Sequence, residues 1–146
     1  MKKTILVITI LSLALVSGCA APKVKMYPGN EVEESQRAVI KADKQFSGRI
    51  DIYSVDGKKT SNYFATLAHG GNAAVEVYVL PGKHNITAQV RYLVSYAFVE
   101  MWLVAEAGES YVIKARSEGF SVTMWIENER TGKPVGGIKG SDDEPR

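Results

Sequence analysis

The chain has 146 residues, of which 45% are hydrophobic, 23% are charged and 9% are aromatic. This composition excludes an acidic disordered tail, a collagen-like sequence and a multi-pass membrane protein, and the length predicts one folded domain. The 18 Lys and Arg residues nearly balance the 16 Asp and Glu residues. A nucleic-acid partner is therefore not expected, because the chain lacks the positive charge that such binding requires.

The first 18 residues have the pattern of a cleaved secretory signal peptide. Lys2 and Lys3 supply positive charge, and residues 5–15 form an apolar run. This run is too short for a transmembrane helix, which needs about 20 apolar residues.

The end of this segment indicates which kind of signal it is. Val16-Ser17-Gly18-Cys19 resembles the lipobox of bacterial lipoproteins, in which the Cys is diacylated, freed by cleavage and acylated again. The resemblance implies cleavage between Gly18 and Cys19, and a lipid anchor on Cys19. Because Ala20 follows, it also implies an outer-membrane lipoprotein facing the periplasm if the host is Gram-negative. The alternative is ordinary secretion with a free Cys19, the only cysteine in the chain.

The mature chain is predicted to have three parts. Residues 19–37 are expected to be the lipidated cysteine and a tether, of which residues 20–28 extend to about 30 Å at most. Residues 38–138 are expected to form the folded domain, and residues 139–146 a mobile tail. Residues 31–43 suit either a short helix or a strand, and we favour extended structure at Ala38–Ala42.

The folded part alternates apolar and polar residues with a period of two, which is typical of antiparallel strands. Asp56-Gly57 predicts a tight turn, and Pro81-Gly82 predicts a hairpin between the strands on either side of it. About seven or eight strands predict an all-β antiparallel sandwich, immunoglobulin-like or transthyretin-like in outline. Seven predicted strands are Arg49–Val55 and residues 63–67, 75–79, 86–92, 94–105, 111–115 and 120–126. Residues 135–138 are the eighth, a short edge strand, and Ala38–Ala42 is the extended segment described above.

Several short motifs occur in an order that resembles a group of small, poorly characterised bacterial lipoproteins and secreted proteins. The resemblance implies a small β-sandwich and transfers neither an activity nor catalytic residues. The motifs are Tyr27-Pro28-Gly29, Asp56-Gly57, Leu80-Pro81-Gly82-Lys83-His84, Ala105-Glu106-Ala107-Gly108 before Tyr111, and Thr131-Gly132-Lys133.

No motif indicates a catalytic centre. Ser110 stands where a nucleophile elbow would place its serine, but the second glycine of that motif is replaced by Val112. His69 and His84 lie in predicted turns without a neighbour that would orient a base, and Glu127 with Glu129 is a weak candidate for a paired-carboxylate site.

Cofactor and metal motifs are equally weak. The segment from Gly57 to Thr60 lacks the upstream glycine of a phosphate loop. Two distant histidines do not have zinc-ligand spacing, and the acidic run from Asp142 to Glu144 lacks the ligand order of a calcium loop. We therefore expect no cofactor and no metal.

One strand face suggests binding. We expect the even-numbered residues of 86–92 and 120–126 to face the core, together with the odd-numbered residues of 97–105. The aromatic and polar side chains of these strands then point to the opposite side of the sheet. Such a face is typical of glycan or protein recognition. Its candidate residues are Tyr78, Arg91, Tyr96, Phe98, Trp102 and Trp125. Alternatively, residues 31–42 cover this face, or a β-bulge shifts the alternation.

The sequence thus predicts a lipid-anchored, non-enzymatic binding or scaffolding module of the cell envelope. Its expected partners are the membrane, through Cys19, and an envelope protein or peptidoglycan. The alternative is an envelope hydrolase or metal-dependent enzyme whose site residues are scattered along the chain.

Overall fold

A computed structural model describes residues 23–61 and 74–145. These residues form ten β-strands and one short 3-10 turn, Glu34–Gln36, and the strands join in the order β1-β5-β2-β8-β9-β10-β7-β6-β3-β4. The strands are β1 (Val24–Lys25), β2 (Ala38–Ala42), β3 (Arg49–Val55), β4 (Lys58–Lys59), β5 (Glu76–Val79), β6 (Gly82–Tyr92), β7 (Ser95–Ala105), β8 (Ser110–Glu118), β9 (Ser121–Asn128) and β10 (Pro134–Ile138).

The strands make one continuous sheet that curls upon itself. Two pairs, β1 with β5 and β2 with β8, are parallel, and the other pairs are antiparallel. The curl brings β3, near one edge, back to the chain that leads into β5, where the Ile52 amide donates to the Ala74 carbonyl at 2.8 Å. The all-β prediction is confirmed. The two separate sheets of a sandwich are not confirmed, because β10 joins β9 to β7 by hydrogen bonds on both sides.

The core lies on the concave side of the curled sheet. Alternation along the strands places one large aliphatic side chain after another on this side, and burying each one contributes about 1.5–3 kcal/mol. Gly136 lets β10 fit between its neighbours, because a Cβ there would lie 2.5 Å from the Trp102 carbonyl oxygen. The fully buried aliphatic side chains include Ile40, Ile52, Ile86, Met101, Leu103, Ile113 and Ile126.

The hairpin predicted at Pro81-Gly82 is wrong. β5 pairs with β1 and β2, whereas β6 pairs with β3 and β7, so the chain crosses from one side of the sheet to the other at this turn. β6 instead forms a hairpin with β7, where Tyr92 pairs with Ser95 across the two residues Leu93 and Val94. Local turn chemistry favoured Pro-Gly, but the hydrogen-bond partners were set by burial at distant positions.

Two inward positions expected from the alternation differ in the structure. Phe120 lies in the turn between β8 and β9 and is fully exposed, so it does not face the core. Ala97 is also exposed, because β7 extends past the end of β10. The strand predicted at residues 63–67 lies outside the described residues.

The domain begins earlier and ends later than the sequence predicted. β1 lies within the segment expected to be a tether, and Tyr27 behind it is buried. At the other end, Lys83 donates to the Pro145 carbonyl at 2.7 Å and pairs with Glu144 at 2.9 Å. The described parts of both terminal segments therefore contact the sheet. Within the described ranges, no helix is long and apolar enough to cross a membrane.

Candidate functional site

The predicted binding face separates into three places on the sheet. Tyr78, on β5, is nearly buried because the Arg37 guanidinium stacks 3.9 Å from its ring centroid. Its hydroxyl donates to Glu76 at 3.2 Å. The segment that was the alternative cover, residues 31–42, thus does cover this aromatic residue. Tyr78 is not part of an exposed face.

Both tryptophans are also engaged by neighbouring groups. Trp102 is only 8% exposed, and its indole N–H donates to the Ser141 hydroxyl at 3.1 Å, in the segment that was expected to be a mobile tail. Trp125 is partly buried, and its indole N–H donates to Glu127 at 2.7 Å. Trp102 therefore offers no open ring surface for stacking on a sugar, and Trp125 is only partly exposed.

The remaining three predicted residues lie together on the convex side of β6 and β7. Arg91 pairs in register with Tyr96, and Gln89 pairs with Phe98 one step further along the hairpin. The next strand, β3, brings Arg49 opposite Arg91 and Asp51 opposite Gln89. Sheet pairing therefore assembles residues from three strands on one surface.

Asp51 is the centre of this surface. Its side chain is 0% exposed, and Arg49 Nε lies 2.9 Å from Oδ1 while an Arg91 terminal nitrogen lies 2.7 Å from Oδ2. Both arginine side chains keep about two-fifths of their surface open, at 41% and 43%. A buried carboxylate is stable only when it is paired, and here two cations share it. The group carries one net positive charge toward solvent.

Aromatic rings extend from this charged centre. Tyr53 and Phe98 make an edge contact with centroids 5.0 Å apart, and Tyr96 and Phe98 make another at 6.2 Å. The Lys59 ammonium lies 5.5 Å from the Tyr53 centroid, and the rings of Tyr96 and Phe98 are exposed. We call this surface the arginine–aromatic face, formed by Arg49, Asp51, Tyr53, Arg91, Tyr96 and Phe98.

Three members of this face were missed from the sequence, although a signal for them was present. Arg49, Asp51 and Tyr53 alternate with the buried Ile50 and Ile52 in one strand. This alternation already put two polar side chains and one aromatic side chain on a common side. What it did not provide was the pairing of β3 with β6.

The predicted catalytic candidates have structural partners instead. The two ring nitrogens of His84 lie 2.7 Å from Asp56 Oδ2 and 2.7 Å from the Leu80 carbonyl oxygen. Asp56 Oδ1 also accepts from the Asn85 amide at 2.9 Å, so His84 links two turns. The Ser110 carbonyl accepts from the Glu129 amide in the sheet, and His69 lies outside the described residues.

The weaker ligand candidates also have places in the fold. Gly57 and the strand β4 after it complete a tight turn with β3, and Thr60 Oγ1 donates to the Ile52 carbonyl at 2.5 Å. Glu144, in the acidic run, pairs with Lys83. Over residues 23–61 and 74–145 there is no cluster of three or more His, Cys, Asp or Glu side chains that could hold a metal ion.

Comparisons with known proteins supply no relative for this chain. No family model, no curated protein and no solved structure matches it.

Proposed function

We propose that the protein is a lipid-anchored, non-enzymatic binding module of the bacterial cell envelope. In this proposal Cys19 carries the anchor, the host is Gram-negative, and the domain faces the periplasm from the outer membrane. The arginine–aromatic face is the binding surface. The observation that carries the proposal is the pair of partly exposed arginines fixed on one buried carboxylate beside exposed aromatic rings.

The arginine pair is organised for an anion before any ligand arrives. Asp51 uses one Nε of Arg49 and one terminal nitrogen of Arg91. Within the described ranges no other side chain or carbonyl accepts from either guanidinium, so its other N–H groups can bond to a ligand. Because Asp51 holds both side chains, less rotamer entropy is lost on binding than with two free arginines. A carboxylate is the planar, bidentate group that this geometry fits.

The aromatic rings define the second half of the ligand. Exposed rings next to polar groups favour the apolar faces of sugar rings or the planar parts of a peptide. A polymer that carries sugar rings and carboxylates at short intervals fits both halves of the face. Of the partners expected in the envelope, peptidoglycan has this chemistry, and it is the ligand we propose.

The test uses the full lipidated protein in detergent and isolated peptidoglycan sacculi, followed by titration with soluble muropeptides. Arg91→Gln keeps Asp51 paired with Arg49, so the domain is expected to fold. Loss of a charge-assisted hydrogen bond is expected to weaken binding about tenfold or more. Phe98→Ala is expected to weaken it too, because the stacking surface is lost.

Two control variants match these changes outside the face. Arg116→Gln removes an exposed arginine that pairs with Glu118, and Phe120→Ala removes an exposed aromatic ring in a turn. Neither is expected to alter muropeptide affinity. The proposal fails if the folded wild-type protein does not bind sacculi, or if the face variants bind as well as the controls. Cleavage of the glycan or peptide by wild-type protein would favour the envelope hydrolase instead.

A further inference from the structure

Two turns at one end of the sheet expose large apolar side chains. Leu93 is 73% exposed and Val94 is fully exposed in the turn between β6 and β7, and Phe120 is 100% exposed in the turn between β8 and β9. Tyr96 is exposed beside them. We call Leu93, Val94 and Phe120 the apolar rim. Large apolar side chains that are exposed together at one end of a domain are typical of a surface that binds another protein or a membrane.

The two turns are neighbours because β10 is short. β10 pairs with β9 only at Glu127 and Ile126, and with β7 only from Leu103 to Met101. Beyond it the β6–β7 and β8–β9 hairpins continue alone and border an apolar groove of about 240 Å³. Among the described residues, no charged side chain lines this groove, whose walls include Val90, Val99 and Val122.

Leu93 is a second, independent sign of function. Its φ is +53°, a conformation that Gly, Asn and Asp adopt readily and that costs other residues roughly 1–2 kcal/mol. Two-residue hairpin turns normally have one of those small residues at such a position. An exposed leucine at this position lowers the stability of the hairpin, and its one structural effect is to place an apolar side chain at the tip of the turn.

The short segment between Cys19 and the sheet keeps the apolar rim close to the membrane that holds the anchor. The sheet begins at Val24, so residues 20–23 alone separate Cys19 from it, and four residues reach about 14 Å when extended. Val24 is at the level of the first residues of β8, and Phe120 follows the last, nine residues and about 30 Å further along that strand. With the anchor this close to the sheet, the rim contacts the bilayer when the strands lie along the membrane surface.

We infer that the apolar rim inserts into the lipid bilayer that carries the acyl chains of Cys19. The inference rests on the anchoring part of the proposed function and adds a second membrane contact, which fixes the orientation of the domain. Aliphatic tips with a tyrosine beside them suit the boundary between headgroups and acyl chains. The anchor keeps the bilayer at a high effective concentration, so a small inserted surface is enough.

The test measures how deep each end of the domain lies in a membrane. Cys19 is the only cysteine and is occupied by lipid in the anchored protein, so Val94→Cys, Phe120→Cys and Lys133→Cys each give one labelling site. Lys133 is exposed at the opposite end of β9 from Phe120 and serves as the matched control. Each variant carries a solvent-sensitive fluorophore and is reconstituted in phosphatidylcholine vesicles with and without spin-labelled lipid.

Insertion of about 5–10 Å is expected to quench the labels at residues 94 and 120 by about twofold or more, and to leave the label at residue 133 unquenched. The quenching is expected to be the same in low and high salt, because the rim carries no charge. Anchored protein with all three labels unquenched overturns the inference. Protein that does not remain with the vesicles overturns the anchoring proposal instead, so the two failures are distinguishable.

A second experiment does not depend on the anchor. The Cys19→Ser chain is expected to bind vesicles weakly, and combining Leu93→Asn, Val94→Ser and Phe120→Ser is expected to reduce its partitioning at least about tenfold. These side chains are exposed, and Asn suits the φ of Leu93, so folding is retained. Equal partitioning of the two chains contradicts insertion. If a second copy of the chain covers the rim instead, the Cys19→Ser chain dimerises and the triple variant is monomeric, which also overturns it.

Discussion

The two ends of the sheet use turns for different purposes. At the end formed by the turns after β3, β5, β7 and β9, which we call the polar end, positive φ angles belong to Asp56 and to glycines, and polar side chains bond to the backbone of the turns. At the other end, the two hairpin turns expose the apolar rim, and a leucine takes a positive φ. The polar end follows local turn chemistry. At the other end the β8–β9 turn does too, with Gly119 at a φ of +63°, whereas Leu93 in the β6–β7 turn departs from it.

This difference separates stability from function within one fold. Turns that obey local preferences reinforce the sheet, and a departure that the rest of the fold tolerates marks a site with another role. The arginine–aromatic face begins at Tyr96, beside the rim, and runs along β6 and β3 toward the polar end. Substitutions in the two regions are expected to affect different measurements.

The largest effect on stability is expected at Trp102, on the convex side under the C-terminal segment. Trp102→Ala removes a buried ring and its bond to Ser141, and should lower the free energy of unfolding by about 3–5 kcal/mol. Phe120→Ala, at the rim, should change it by less than about 0.5 kcal/mol. Urea denaturation of both variants measures the contrast, and similar losses would show that the rim is part of the packed structure.

At the polar end, Asp56→Ala should cost about 2 kcal/mol. The change removes the bonds to His84 and to the Asn85 amide, and it puts Ala at a φ of +51°. Asp56→Asn is the control, since Asn tolerates this φ and its side-chain oxygen still accepts from the amide. Thermal unfolding should rank wild type above Asp56→Asn, and Asp56→Asn above Asp56→Ala. An Asp56→Ala chain as stable as wild type would contradict a role in linking the turns.

At the apolar rim, a substitution in a turn is expected to increase stability instead of lowering it. Leu93→Asn should raise the free energy of unfolding by about 0.5–1 kcal/mol, because it relieves an unfavourable φ without removing packed surface. The same change should reduce quenching of a fluorophore at residue 94 in anchored protein. Destabilisation by Leu93→Asn would mean that the leucine packs within the domain, and the contrast between the two ends would then be lost.

The sequence predicted those features of the fold that depend on neighbouring residues, and it did not predict those that depend on distant ones. Alternation gave β2 and β3 with their observed bounds and the Asp56-Gly57 turn, because side-chain period and positive φ depend on adjacent residues. The partners of β5 and β6 depend on which buried surfaces meet across the sheet, which no adjacent residue encodes. The Pro81-Gly82 hairpin was wrong for this reason.

The candidate site shows the same limit. Arg91, Tyr96 and Phe98 were placed on one face from alternation alone, and β6 and β7 keep them there. Tyr78 and Trp102 were grouped with them by the same rule, but Arg37 and Ser141 cover those rings from segments far away in the chain. Parity along a strand predicts the side of the sheet that a residue faces, whereas exposure depends on what else lies against that side.

The smallest effect on stability is expected from lowering the pH, which acts at the polar end on Glu109. This side chain bridges two turns. Hydrogen bonds from Arg130 and Asn128 hold the pKa of Glu109 below its ordinary value of 4.5. A carboxyl whose pKa is lower in the folded state stabilises the fold above its unfolded pKa, and this contribution is lost as the pH falls through the folded value. Glu109→Gln removes the titration but keeps an acceptor for Asn128.

The melting temperature of wild type should therefore exceed that of Glu109→Gln at neutral pH, and the gap should narrow below pH 4.5. The pair is exposed on the arginine side, so the gap is expected to be small and to shrink in high salt. Vesicle quenching at residue 120 should be unchanged, because Glu109 lies at the end of the sheet opposite the apolar rim. A gap that is constant from neutral to acidic pH would assign the stabilisation to packing of the Glu109 side chain instead of its charge.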